Sequence, residues 1–450
     1  MNRQFADYLD FMRFSLGEGG EVPASVKAIN WHSLYEFAGK QSVVGVYWTG
    51  LQRLGELKEN KPTDDDVLEW MGTCQQIAKR NQTVSEKSAW VAGNFEHEGF
   101  KACLLKGQGN AMLYPDPTLR TPGDIDIWVK PMPQEGESGS NAATQRSSGS
   151  SAATQRSSAT ASRSSGSKLF ERSKSYLPRS FVRHASVTAL LRSMTCGSSA
   201  ASQRSSGSSS HFSLFTSRED VDIRTVIAYC RRFVPKAKAC YHHIDFLKAG
   251  DVPVEVHYRP SWLNNPFHNR RLQRYFLAEA ETQFGNHQPS GFSVPTWEFN
   301  LVFQLSHIAN HLLHEGIGLR QIIDYYYLLK SNTARRAVND YEREFKRLGL
   351  LPFARQLMWV LHEVLGLEES LLVARQDERR GRLLLSEMLA GGNFGKYDER
   401  MLSGAYSGVV KKNVQRIVRD VRLMWYFPSE CFWEPFFRLW HFFWRKNHSN

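Results

Sequence analysis

Long hydrophobic runs are absent from this chain. No stretch of about 18 uninterrupted apolar residues occurs, so a membrane-spanning helix is not expected. Met1-Asn2-Arg3-Gln4-Phe5-Ala6-Asp7 lacks the apolar segment of a secretory leader, so none is expected. Cysteine is scarce as well. The six cysteines, at 74, 103, 196, 230, 240 and 431, form no Cys-x-x-Cys pair, which favours reduced thiols in a cytoplasmic protein. Acidic charge is outnumbered, giving a net +12, but the excess is local. Residues 134–217 hold ten Lys or Arg against three Asp or Glu, a net of +7, which leaves +5 for the rest. The basic balance is thus a weak argument for nucleic-acid binding.

What is present is a folded composition, 41% hydrophobic and 12% aromatic over 450 residues, enough for two or three domains. Residues 1–97 read as a helical region, with helical spacing over Trp31 to Leu54 and Asp64 to Phe95. In the second run Val67, Met71, Ile77 and Ala78 fall near one stripe. Residues 134–217 break the pattern. Ala142-Ala143-Thr144-Gln145-Arg146-Ser147-Ser148 recurs at 152–158 and, as a variant, at 200–206. Such a Ser/Arg-rich, low-complexity stretch carries too little apolar surface to offset its ordering entropy, and reads as a disordered insertion in a surface loop. An amphipathic helix is expected from Ser217 through Phe233.

The chemistry concentrates on short β-like runs. In Gly123-Asp124-Ile125-Asp126-Ile127-Trp128-Val129 the strand period of two puts Asp124 and Asp126 on one face and Ile125, Ile127 and Val129 on the other. Paired carboxylates of this kind suit a divalent cation with hard oxygen ligands. Lys106-Gly107 ends an apolar run, Phe100 to Leu105, that reads as another strand. In Val252-Pro253-Val254-Glu255-Val256-His257-Tyr258 the same alternation separates Glu255 and His257 from Val254 and Val256. A β-like run at 240–247 and a hairpin turn at Ala249-Gly250-Asp251 precede it. His242 and His243, on that run, are expected to point to opposite faces, one of them exposed, with no role for either.

The order Leu105-Lys106-Gly107-Gln108-Gly109, Leu113-Tyr114-Pro115, Arg120, Gly123-Asp124-Ile125-Asp126 and Val254-Glu255-Val256-His257 resembles the nucleotidyltransferase superfamily, in particular a family of largely uncharacterised bacterial nucleotidyltransferases. Gln108 stands where that superfamily usually has a second small residue, and the spacer to Asp-x-Asp is longer. The resemblance implies an α+β architecture. A small mixed-sheet nucleotidyltransferase fold (98–133 and 218–262) would be flanked by the N-terminal helical region and by a C-terminal helical domain (263–450). It implies transfer of a nucleoside monophosphate from a nucleoside triphosphate to an acceptor hydroxyl, whether of a small molecule, a sugar, a protein or an RNA. Asp124, Asp126 and Glu255 would be the catalytic and Mg²⁺-holding carboxylates, with Mn²⁺ as the alternative ion. Lys106, Gly107, Gln108, Gly109 and Arg120 would contact the nucleotide, with an ion pair to Asp116 or Asp124 as the structural alternative for Lys106 and Arg120. A non-catalytic nucleotide-binding scaffold and an antitoxin-like, protein-modifying enzyme are the rival readings.

His307-Ile308-Ala309-Asn310-His311 places two imidazoles at i, i+4, a spacing a metal can use. No Glu follows the first His as in a zincin, so a polar layer between helices is preferred over zinc. By the same resemblance His257, His307, His311, Arg320 and Asp324 would line the cleft, the last two as a buried pair or in contact with substrate. Helices are expected at Pro295 to Leu313, Gly318 to Lys330, 334–349, 352–366, 369–390 and 398–424. The aromatic tail, Phe427 to Lys446, reads as a buried capping helix in preference to a membrane-surface or partner interface.

Overall fold

Thr63-Asp64-Asp65-Asp66 shows how local chemistry starts the longest element. In the computed structural model, which describes residues 3–17, 21–54, 60–133, 217–398 and 408–448, Thr63 Oγ1 accepts from the Asp66 N–H at 3.1 Å. The Asp66 carboxylate accepts from the Thr63 N–H at 2.9 Å, closing a capping box. The 34-residue helix that follows (α4, Asp64–His97) buries Trp70, Cys74, Ile77, Val84, Val91 and Phe95. That stripe differs from the expected one: Met71 is 38% exposed, because Trp70 sets the phase by packing on Tyr35 and Tyr47. Three helices precede it, α1 (Arg3–Leu16), α2 (Trp31–Gln41) and α3 (Val44–Arg53). The expected single run from Trp31 is therefore two helices, broken where Ser42 adopts a left-handed φ of 58°.

Four strands form one sheet: β1 (Phe100–Leu104), β2 (Ile125–Pro131), β3 (His243–Asp245) and β4 (Val254–His257), in the order β1-β2-β4-β3. β1 and β2 are antiparallel, β2 and β4 parallel, and β3 and β4 antiparallel. A four-residue helix, α5 (Gln108–Ala111), lies between β1 and β2, and α6 (Ser217–Phe233) precedes β3. The Ser/Arg-rich repeats lie outside the described residues. β3 is shorter than the expected run because residues 240–243 turn, with the Cys240 N–H donating to the His243 carbonyl at 2.9 Å. His242 is consequently not on a strand. Both histidines are half-buried, their rings 4.2 Å apart, contrary to the expectation of opposite faces.

The sheet separates two cores. On one face Phe100, Ala102, Leu104, Ile125, Ile127, Val129, Val254 and Val256 pack against Val91 and Phe95 of α4 and Ile223, Val226 and Ile227 of α6. Each such fully buried Val, Leu, Ile or Phe side chain contributes on the order of 1.5–3 kcal/mol of transfer free energy. On the other face Cys103 and Trp128 join a larger core built by both terminal helical regions. Trp128 packs there against Phe284 and Phe299.

That core is supplied by α7 (Pro266–Gly285), α8 (Trp297–His314), α9 (Leu319–Lys330), α10 (Val338–Leu348), α11 (Leu351–Trp359, continued by a π-turn over Val360–Val364) and α12 (Glu378–Gly391). Gln41 of α2 ties the two regions together, donating to the Met388 carbonyl and accepting from the Leu319 N–H, each at 2.9 Å. α12 begins later than expected because Asp377 caps it, accepting from the Arg380 N–H at 3.0 Å.

Two further helices follow, α13 (Gly408–Met424) and α14 (Pro428–Asn447). α14 is only half buried, which corrects the expectation of a capping helix covered all round. Glu430, Cys431, Glu434 and Trp444 face the body, whereas Phe432, Phe436, Leu439, Phe442 and Phe443 are each more than half exposed. Acids decide its orientation. The Glu430 carboxylate accepts from the Asn264 and Asn265 N–H groups at 2.7 and 3.0 Å, just before α7. Among the described residues no helix is long and apolar enough to cross a membrane.

Candidate active site

Parallel pairing of β2 with β4 sets Asp126 directly beside Glu255. Asp124 lies two residues earlier on the same face, and one oxygen from each carboxylate falls within 4.8 Å of the others. The cluster shares its face of the sheet with Trp128, so the helical core covers it. Lys106 arrives from the end of β1, where the Leu105 N–H donates to the Asp126 carbonyl at 3.0 Å. Gly107 turns the chain immediately afterwards at φ +60°, ψ −111°, a conformation that L side chains rarely adopt. The Lys106 ammonium is thereby aimed back at the carboxylates.

Charge is distributed unevenly over the cluster. Asp126 Oδ1 accepts from Lys106 Nζ and from His257 Nε2, each at 3.0 Å. Burial pushes the Asp126 carboxyl up, but Lys106 and the His257 hydrogen bond outweigh it and hold it well below the usual carboxylate range. Asp124 goes the other way: the charge of Asp126, then burial, raise it. For Glu255 burial is again opposed by a hydrogen bond from His257, and the net direction is down. Burial lowers His257, yet its bonds to Asp126 and Glu255 raise it to about 8. Burial likewise opposes the Lys106 ammonium, and Asp126, Asp124 and Glu255 together keep it charged, above its ordinary value.

Arg120 has a different neighbourhood from the one expected. It pairs with neither Asp116 nor Asp124 but with Asp324, Nε to Oδ1 and Nη2 to Oδ2, both at 2.8 Å. Tyr114 Oη donates to the same carboxylate at 2.7 Å and Asn110 Nδ2 at 3.1 Å, so Asp324 accepts four hydrogen bonds in a buried site. Asp324 thus takes hydrogen bonds from Arg120, and the charge of Arg320 adds to their pull on its carboxyl. Arg320 lies beside this pair, donating to the Thr121 carbonyl at 3.2 Å. Burial, reinforced by the charge of Arg120, lowers its guanidinium.

A cavity of about 40 Å³ lies between the two ion pairs, lined by Lys106, Gly107, Asp124, Asp126, His307 and Arg320 together with the Arg120–Asp324 pair. Gln108 and Gly109 are not on its wall. The Gln108 side chain is buried and donates to the Asn81 carbonyl at 2.8 Å, and a Cβ on Gly109 would press on Val294 at 3.3 Å. His307 Nε2 lies 3.3 Å from Lys106 Nζ and 2.8 Å from His311 Nε2, which places His311 one layer behind the wall. His311 Nδ1 meets Glu315 Oε2 at 3.1 Å, and that hydrogen bond holds the Glu315 carboxyl down at about 2. The i, i+4 histidines thus form a polar layer leading from Lys106 towards the half-exposed Glu315.

Some residues of this site carried no sequence signal of their role. Tyr114 was visible as part of Leu-Tyr-Pro but not as a donor to Asp324. Asn110, four residues earlier on the same turn of chain, could have been paired with it. Asn81, which donates to the Thr118 and Arg120 carbonyls at 2.7 Å each, looks in sequence like any polar helix residue. His243, given no role, reaches within 3.6 Å of Glu255.

The fold is α+β, with a lysine and three carboxylates gathered on the helix-covered face of a small mixed sheet. The family model of the uncharacterised nucleotidyltransferases matches residues 27–134 and 215–366, more than half of the chain, and the chain belongs to that family. The match breaks at the segment that carries the Ser/Arg-rich repeats. No curated protein and no solved structure matches the chain. Family membership makes this an enzyme of nucleotidyl transfer, with a nucleotide as substrate.

Proposed function

We propose that the chain transfers a nucleoside monophosphate from a nucleoside triphosphate to an acceptor hydroxyl, releasing pyrophosphate, with Asp124, Asp126 and Glu255 holding Mg²⁺. The supporting observation is the parallel register that brings Glu255 beside Asp126, although 129 residues separate them in the chain. The donor set fits a hard cation, since all three groups are carboxylates. The upward push on Asp124 marks negative charge that Lys106 leaves uncompensated. A bound Mg²⁺ would supply charge neutralisation on the phosphoryl group in transfer and on the departing pyrophosphate, and Mn²⁺ would accept the same oxygens.

The chain's own groups divide the remaining work. Asp124 and Asp126 hold the cation. Glu255, the carboxylate with 31% of its side chain exposed, orients the acceptor hydroxyl and takes its proton. Lys106 fixes Asp126 and presents positive charge to the phosphates, and Arg320 adds a second charge across the cavity. Arg120, on the cavity wall, is held by Asp324 through Nε and Nη2, and its buried Nη1, which has no hydrogen-bond partner among the described residues, is left for a phosphate. At about 40 Å³ the cavity is smaller than a nucleotide, which needs a few hundred cubic ångströms. The carboxylates require only a hydroxyl, which a small molecule, a sugar, a protein side chain or an RNA end can each supply. The free thiols of the five described cysteines accord with a cytoplasmic setting.

The test is incubation with each α-labelled nucleoside triphosphate, Mg²⁺ and cell extract, scoring pyrophosphate release and transfer of label. Asp126→Asn and the less buried Asp124→Asn should both lose transfer while keeping their circular dichroism. Undiminished transfer in either variant would overturn the assignment.

A further inference from the structure

The turn before β3 gathers a donor set of a different kind. The bond from the Cys240 N–H to the His243 carbonyl and the bridge between Ala239 and Ile244 close the chain over Cys240-Tyr241-His242-His243. Tyr241 pins this turn from behind. Its buried hydroxyl accepts from Asn269 Nδ2 at 2.8 Å, and the Arg259 guanidinium sits 4.2 Å from its ring centroid. Arg259 also donates to the Tyr241 carbonyl at 2.7 Å and to Glu219 at 2.9 Å, and the Tyr241 N–H donates to His441 Nε2 at 3.0 Å.

With Tyr241 held inward, its neighbours converge on the other side. Cys240 Sγ lies 3.3 Å from His242 Nδ1, and His242 Nε2 lies 2.7 Å from His243 Nδ1. One donor atom from each of the three residues falls within 4.8 Å of the others, and all three residues are half-buried. The His242 ring is held in place by stacking on Trp262 at 4.1 Å.

We propose that Cys240, His242 and His243 bind a borderline-soft divalent cation, zinc foremost, at a second site that adjoins the carboxylate cluster where His243 meets Glu255. A thiolate and two imidazoles are ligands that zinc favours and magnesium does not. Zinc bonds to sulfur and nitrogen, set at a tetrahedral angle, separate the two donors by roughly 3.5 Å. The Cys240 Sγ–His242 Nδ1 pair stands at 3.3 Å, whereas His243 Nδ1 meets the other ring nitrogen, Nε2, at 2.7 Å, so taking up one ion replaces that hydrogen bond. Three protein ligands leave a fourth position for water. The spacing Cys-x-His-His has no counterpart among finger-type zinc motifs, because a single turn supplies all the ligands.

The test is titration of the full-length, chelator-treated protein with Co²⁺ alone, in buffer free of Mg²⁺. The expected result is one thiolate-ligated ion per chain, read from a thiolate-to-cobalt charge-transfer band in the near ultraviolet and displaced by Zn²⁺. Cys240→Ser should abolish that band and, with His242→Gln, weaken binding about tenfold or more, since even outer-shell partners of a metal are worth 10–100-fold. Asp124→Asn should leave the band and the affinity unchanged. Absence of the band in the unaltered protein overturns the proposal without recourse to any variant. So does equal binding by Cys240→Ser, or cobalt binding that shows no such band and is lost in Asp124→Asn, which would put the ion on the carboxylates.

Discussion

Two buried ion pairs face each other across the cavity, and they are built for different ends. Asp324 is saturated: both oxygens are engaged by Arg120, and Tyr114 and Asn110 add neutral donors. Asp126 is contested, since Lys106 and His257 both address Oδ1 while Asp124 and Glu255 crowd it with like charge. A saturated carboxylate stabilises a geometry and leaves no oxygen free for a cation. A contested one keeps charge available for a cation or a phosphate, at the expense of the apo fold. Scaffold and chemistry are thus separated although both use a buried cation and a carboxylate.

Breaking each pair should expose the difference. The largest effect is expected on turnover. Asp126→Asn or Asp124→Asn removes several kcal/mol of transition-state stabilisation, a loss of about a thousandfold or more in pyrophosphate release. Asp324→Ala should instead act on stability, by about 3–5 kcal/mol in urea unfolding, because it leaves the Arg120 charge buried and unpaired. A turnover loss in that variant without a stability loss would erase the distinction.

Smaller effects sharpen it. Mg²⁺ at about a hundred times its dissociation constant should stabilise the unaltered protein by about 2.7 kcal/mol and Asp124→Asn by much less. Without Mg²⁺ the order should invert. The Asp124 carboxyl is raised in the folded state, so its ionisation costs stability as pH rises through that value, and Asp124→Asn escapes the cost. Asp324 carries the opposite sign. Its carboxyl, opposed by burial but held low by Arg120, contributes stability that is complete above the unfolded carboxylate range and lost as pH falls through the folded value. The advantage of the unaltered protein over Asp324→Asn in urea midpoint should therefore shrink below about pH 4.

Much of the local architecture was legible in the chain. A period of two placed Asp124 with Asp126 and Glu255 with His257. The helix from Ser217 to Phe233 and the turn at Ala249 to Val252 fall where composition put them. Errors arose where a residue's neighbour lies far along the chain. Ile77 lies on the buried stripe of α4 as expected, and Met71 leaves it because Tyr35 and Tyr47 pack on Trp70 instead. α14 offers aromatics on all sides, and only Glu430 reaching the start of α7 determines which side is covered. That Arg120 pairs with Asp324 and not with Asp116 or Asp124 is invisible in the chain, because 204 residues separate the two.

By itself the sequence determined which residues share a face, where helices are capped, and that acids, a lysine and a glycine turn occur in one order. These follow from backbone periods and from hydrogen bonds spanning a few residues. Only the tertiary structure decided which charge meets which. It married Arg120 to Asp324, left Asp126 shared between Lys106 and His257, and folded Cys240 onto two histidines. Coulomb energy and desolvation depend on distance and burial in space, and neither quantity is a property of position along a chain.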